Sequence, residues 1–169
     1  MLHVWDNFFV TTAQAGAALI GLLFVTVTVG TGFSTTHMLK GTRAFLTPTL
    51  LHFVGVLFLS LAMLAPWGSL VPLGVVLGVL GLSGLIYQIL VIRDRRESRL
   101  VKMGWGEWIP YTVVPALSNA ALAGGGFELC VSSPFALPLV AGGTVALLAS
   151  GVLGAWDMTL WLVRNHKGQ

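Results

Sequence analysis

The chain has 169 residues, of which 56% are hydrophobic and only 9% charged, with nine Lys and Arg against six Asp and Glu. Soluble domains carry about 25% charged residues, so this composition excludes an ordinary water-soluble domain and places the chain in a bilayer. The net charge of +3 needs no nucleic-acid partner, because the positives cluster beside apolar runs and no basic face is interleaved with aromatics.

The first seven residues, "MLHVWDN", hold no Lys or Arg, and residues 8–30 hold no charge. That run is longer than the apolar region of a signal peptide, so it predicts a retained spanning helix over 8–30. Residues 44–92 carry no formal charge apart from a possible one on His52, and the stretch is too long for one crossing of about 20 residues. "APWGS" at 65–69 breaks it with Pro66 and Gly68, predicting helices over 44–65 and 70–92. The polar segment "RDRRESRLVK" follows at 93–102. A fourth helix is expected over 108–127, although Pro110, Pro115 and the glycines at 124–126 work against it. A fifth is expected over 134–163. The fold class is all-α: a polytopic bundle of five transmembrane helices forming a single domain over 1–169.

The charges test that count. Lys40 and Arg43 lie between helices one and two. Arg93, Arg95, Arg96, Arg99 and Lys102 lie between helices three and four, and Arg164 and Lys167 follow helix five. With five crossings all nine fall on one side. The other side carries Asp6, Glu128 and the single cysteine, Cys130. The positive-inside rule then puts the N-terminus outside and the C-terminus in the cytoplasm. Trp5 and Trp67 fall at the outer interface, and Trp105, Trp108 and Trp161 at the inner one. The five positives of 93–102 are expected to touch anionic lipid headgroups.

Lipid tails give no hydrophobic drive for helix association, so close packing needs small side chains. Helix three offers Gly74, Gly78, Gly81 and Gly84 on one face. Helix five offers Gly142, Ala146, Ser150 and Gly154, and helix one offers Ala13, Ala17 and Gly21. Most of these are expected to pack within one bundle. Three stripes in so small a chain also point to a homo-oligomer.

Asp157 is the one carboxylate in the fifth apolar run. At about 100° per residue it falls within the arc of Ala146, Ser150 and Gly154, which turns it towards other helices. It stands about 10.5 Å before Arg164 along the helix. His52 stands about 13.5 Å from Arg43, and Tyr87 and Gln88 about 8 Å from Arg93. Thr26, Thr28 and Tyr111 fall in the same half. Pro115 has no N–H for the carbonyl of Tyr111, which leaves one acceptor free nearby. The polar groups of all five helices are thus expected to form one layer in the cytoplasmic half. Thr11, Thr12, Gln14 and Asn119 lie in the outer half and are uncharged.

A carboxylate and an imidazole in a bilayer are costly to ionise separately, and if they meet they titrate as a pair. Such a pair carries a proton, holds a cation or locks helices together. The structural alternative is that Asp157 sits at the headgroups and His52 donates to a backbone carbonyl. Tyr87, Gln88 and Asn119 serve equally as hydrogen-bonding links between helices.

Three stretches, "WDNFFVTTAQAGAALIGLLFVTVTV", "RAFLTPTLLHFVGVLFLSLAMLAPW" and "GAWDMTLWLV", resemble a group of small uncharacterised bacterial inner-membrane proteins. The likeness rests on Arg43, the Thr47-Pro48-Thr49 run, His52 and Trp156-Asp157. It implies a multi-pass protein of the bacterial plasma membrane and no particular activity.

The expected function is a homo-oligomeric channel or transporter for a small ion or proton, with Asp157, His52, Tyr87, Gln88 and Asn119 as pathway candidates. The alternative is a non-conducting scaffold or regulator that binds another membrane protein through its glycine faces. A lipid-modifying enzyme using Asp157 and His52 is disfavoured, since no phosphate loop or dense catalytic cluster appears. No metal-ligand spacing and no cofactor motif is present in the sequence. The orientation has a direct test. An impermeant thiol reagent applied to intact cells should modify Cys130 and spare a cysteine introduced at position 98 (Ser98→Cys). The reverse pattern overturns the assignment.

Overall fold

A computed structural model describes the backbone of residues 2–31, 36–98 and 109–166, and the side chains of 3–28, 46–93 and 111–160. A short 3-10 turn, Leu2–Trp5, leads into α1 (Asp6–Thr31). α2 spans Thr36–Leu64 and α3 spans Leu70–Ser98. A π-helical turn, Ile109–Val113, runs into α4 (Val114–Cys130), and α5 spans Ala136–His166. Among the described residues five helices are long and apolar enough to cross a membrane, with candidate spans of 19 to 26 residues, in keeping with a multi-pass membrane protein.

The helices overrun the expected boundaries chiefly at one end. α2 begins at Thr36, so Lys40 and Arg43 stand on its first turns rather than in a loop. α3 runs to Ser98 and carries Arg93, Arg95 and Arg96 on its last turns. Arg99, Lys102, Trp105 and Trp108 lie outside the described residues, as do the side chains of Arg95, Arg96, Trp161 and Arg164. Gly124, Gly125 and Gly126, expected to oppose α4, are helical within it.

The ends are closed by local hydrogen bonds. Trp67 Nε1 donates to the Ala62 carbonyl at 2.6 Å, which satisfies one of the acceptors left over in the last turn of α2. After α4, Ser132 takes the left-handed conformation (φ 57°), and the Ser133 N–H reaches back to the Glu128 carbonyl at 2.9 Å. This closes the helix as a glycine usually does.

Neighbouring helices follow the order α1, α2, α5, α4, α3. α2 and α3 are consecutive in the chain but touch only slightly. The reason lies in the side chains at each contact. A Cβ added to Gly81 would lie 2.5 Å from the Ala123 backbone nitrogen, and one on Gly126 2.5 Å from the Gly74 carbonyl oxygen. Gly78 belongs to the same contact, since its Cα lies 3.1 Å from the Cβ position of Gly126. α3 and α4 therefore pack backbone against backbone, where dispersion is densest. Gly143 meets Ser118 and Gly125 meets Val140, joining α4 to α5. α1 meets α2 at Gly16, and a buried Thr12–Ser60 hydroxyl pair at 2.8 Å ties the same helices.

The larger core cluster includes Phe9, Val56, Met63, Leu73, Leu129 and Val140, near the 65–69 and 131–135 connections. A smaller cluster of Leu23, Phe53 and Met158 joins α1, α2 and α5 in the other half and includes nothing from α3. α2 and α3 thus diverge from their shared hairpin.

Three of the predicted small-residue contacts are corrected. Gly142, Ala17 and Gly21 are exposed, and a Cβ on Gly142 or Gly21 would meet nothing within 4 Å. The packed positions are Gly143, Gly151 and Gly154 on α5, and Ala13 and Gly16 on α1. Ala146 is half-buried and Ser150 buried. Gly81→Leu should cost about 2–3 kcal/mol by overpacking, whereas Gly142→Leu should change the stability of a single subunit by less than about 0.5 kcal/mol. Reversible unfolding in detergent micelles measures both. A large loss at Gly142 in the monomer would contradict the helix phase described here.

Candidate functional site

The site is built outward from a proline. Pro115 lies in the first turn of α4 and has no N–H to donate to the carbonyl of Tyr111. Tyr111 sits in the π-helical turn that precedes α4. Its carbonyl accepts instead from Gln88 Nε2 of α3 at 3.0 Å. A missing intrahelical bond is thereby replaced by an interhelical one. Hydrogen bonds of this kind in a membrane contribute about 0.6–2 kcal/mol.

Beside this link, the divergence of α2 from α3 leaves a lateral cleft of about 300 Å³. Leu51, Val54 and Phe58 of α2 form one wall, and Leu80, Ser83 and Tyr87 of α3 the other. Asn119 and Leu122 of α4 and Leu147 of α5 form the floor. Leu51 and Phe58 are exposed, so the mouth opens on the lipid-facing side. A second cavity of about 20 Å³ adjoins it, bordered by Thr49, His52, Gln88, Tyr111 and Ser150 and by the apolar Pro48, Val91 and Gly154. His52 and Gln88 border both cavities. Nδ1 of His52 is buried and makes no hydrogen bond among the described residues.

Four of the five predicted pathway residues, His52, Tyr87, Gln88 and Asn119, meet around the cleft. Gln88 acts as the interhelical link. Asn119 donates from Nδ2 to the Pro115 carbonyl of its own helix at 2.8 Å, while its Oδ1 lies against Gly84 of α3. Asp157 stands apart. It is half-buried, lines neither cavity, and forms no ion pair or hydrogen bond with His52. The register of α5 on α2 explains why. Gly151 packs on Phe53 and Gly154 on Thr49, so the helices run antiparallel and Asp157 falls level with about Leu46. Asp157 is therefore offset from His52 by about six residues, or about 9 Å, towards the basic end. The expectation that Asp157 shares one polar layer with His52, where the two could pair, is corrected accordingly.

Other polar groups bond locally. Thr26, Thr28, Ser118, Thr144 and Ser150 donate to carbonyls four residues earlier in their own helices. Ser150, predicted only as a packing residue, also lines the smaller cavity. Ser60, which the sequence alone did not single out, is fully buried and pairs with Thr12. Cys130 is half-buried, and its thiol lies 3.7 Å from the Val71 carbonyl. Among the described residues no group of three His, Cys, Asp or Glu side chains could hold a metal. Comparison with known proteins finds no matching family model, curated protein or solved structure.

The proline–glutamine relation predicts a specific coupling. Gln88→Leu removes the donor to Tyr111 and should cost about 1–2 kcal/mol. Pro115→Ala restores an N–H that can serve the same carbonyl, so the cost of Gln88→Leu should shrink in that background. A double-mutant cycle on unfolding measures this. Additive effects would show that the two residues act independently.

Proposed function

We propose that the protein carries protons, or another small ion, across the bacterial inner membrane as a homo-oligomer, with His52 as the group that holds the travelling proton. The observation that carries this reading is the Nδ1 atom of His52, buried without a hydrogen bond at the join of two cavities. An unsatisfied buried polar atom costs about 1–3 kcal/mol. Phenylalanine would fill the same space with no polar atom to satisfy, so apolar packing alone does not call for an imidazole. Imidazole takes up and releases protons at either ring nitrogen.

The choice of cargo follows from the lining. Among the described residues neither cavity is bordered by a carboxylate, and His52 supplies the imidazole along them beside the phenols of Tyr87 and Tyr111. A metal cation wants several oxygen ligands and compensating negative charge. A proton needs only a base and a hydrogen-bonded route. Support for self-association comes from the small residues left unused within one bundle. Ala17 and Gly21 on α1 and Gly142 on α5 face outward, where a second copy can approach closely.

The scaffold reading is also favoured by one observation. The cleft between α2 and α3 is largely apolar and opens sideways, as a receptor for a helix of another membrane protein would. Flux separates the two. In proteoliposomes under an imposed pH gradient, the wild-type protein should dissipate the gradient faster than empty vesicles. His52→Phe should slow that component at least tenfold while leaving stability unchanged or raised. Asp157→Asn, outside both cavities, should retain most of it. Wild-type vesicles no leakier than empty ones to protons, Na⁺, K⁺ or Cl⁻ would reject transport and leave the scaffold reading in front.

A further inference from the structure

We infer that the smaller cavity is a binding site for one water molecule, which accepts or donates a hydrogen bond at His52 Nδ1 and ties α2 to α3, to α5 and to the turn before α4. Three observations converge on it. The first is size. The cavity measures about 20 Å³, and a single water needs roughly 10–15 Å³ on the same measure, so the space takes one molecule and not a cluster. The second is lining. Thr49, Ser150, Tyr111 and Gln88 border the space together with Pro48, Val91 and Gly154, and a buried water needs only two to four polar partners. Ser150 donates its own proton to the Ala146 carbonyl, which leaves lone pairs on its oxygen to accept from a water. Gln88 uses Nε2 on Tyr111, which leaves its amide oxygen as a further acceptor. The third is the unpaired buried Nδ1 of His52, a residue that borders this cavity as well as the cleft, and the burial of that atom calls for a partner.

The neighbouring cleft does not meet these terms. It is about 300 Å³, mostly hydrocarbon-lined and open towards lipid, so a water there would lack partners on most sides. His52 therefore borders both a wide, hydrocarbon-lined cleft and a space of one-water size. In transport the water would hand the proton between His52 and the basic end of the bundle. That role rests on the proton reading above, whereas occupancy of the site does not.

The experiment is water-edited solid-state NMR on ¹⁵N,¹³C-labelled protein in lipid bilayers, with the His52 ring signals identified by their loss in His52→Gln. Magnetisation from water should reach Nδ1 of His52 many times faster than it reaches the buried core at Val56. Ser150→Val fills the small cavity and should abolish the fast transfer. Ser150→Ala leaves the space open and should preserve it. Should Ser150→Val fail to fold, Gly154→Ala crowds the same cavity from another side, since a Cβ there would lie 2.5 Å from Thr49 Oγ1. Transfer to His52 as slow as to Val56 in the wild type overturns the proposal. Fast transfer that survives both filling variants also overturns it, because the water would then come from the cleft. Proton flux is measured separately, so a hydrated His52 in a protein that moves no protons would retain the water site and discard the transport reading.

Discussion

The contact between α3 and α4 governs the remainder of the structure. Gly74, Gly78 and Gly81 on one helix and Gly126 on the other let the two backbones meet with almost no side chain between them. In lipid no hydrophobic drive brings helices together, so the closest-packed pair has the most dispersion energy to gain. α3 is drawn to α4, and α2 is drawn to α1 and α5 through Phe53, Val56 and Thr49. The hairpin at 65–69 holds α2 and α3 together only at one end. Away from it the two separate, and the cleft with His52 on its wall is the geometric result.

That arrangement has local costs. Glycine inside a helix is unfavourable by about 0.5–1 kcal/mol relative to alanine, and proline removes a backbone bond. α4 carries three consecutive glycines and Pro115. The costs are offset where they arise. Glycine allows the close approach to α3, and the same approach brings Gln88 within 3.0 Å of the carbonyl that Pro115 leaves free. The π turn, the proline, the glycines and the glutamine are best understood as one unit.

The helices were legible in the sequence because hydropathy, helix breakers and charge placement are local properties. Features that depend on helix phase or register were less so. On α3 the glycines repeat at helical spacing over ten residues, and Gly74, Gly81 and Gly84 meet α4, while a Cβ on Gly78 would meet nothing within 4 Å. The α5 stripe was read one position out at its start, because Gly142 and Gly143 are adjacent and spacing alone does not say which faces α4. Pro115 announced a free acceptor at Tyr111, but its donor emerges only once α3 is laid against α4. The offset of Asp157 from His52 follows from Gly151 on Phe53 and Gly154 on Thr49, and counting residues from Arg43 and Arg164 could not supply it. The Thr12–Ser60 pair spans 48 residues of sequence and carries no local signal.

The central claim is that α3 packs on α4 and stands away from α2 along the cleft. A ¹³C–¹³C correlation spectrum of the labelled protein in bilayers tests it at specific atoms. Gly78 and Gly126 should give a strong interhelical cross-peak, with none between Gly55 and Gly84 on the opposite walls of the cleft. Cross-peaks joining Gly55 to Gly84, with the Gly78–Gly126 signal missing, would mean that α2 and α3 close on each other, and the site described here would not exist.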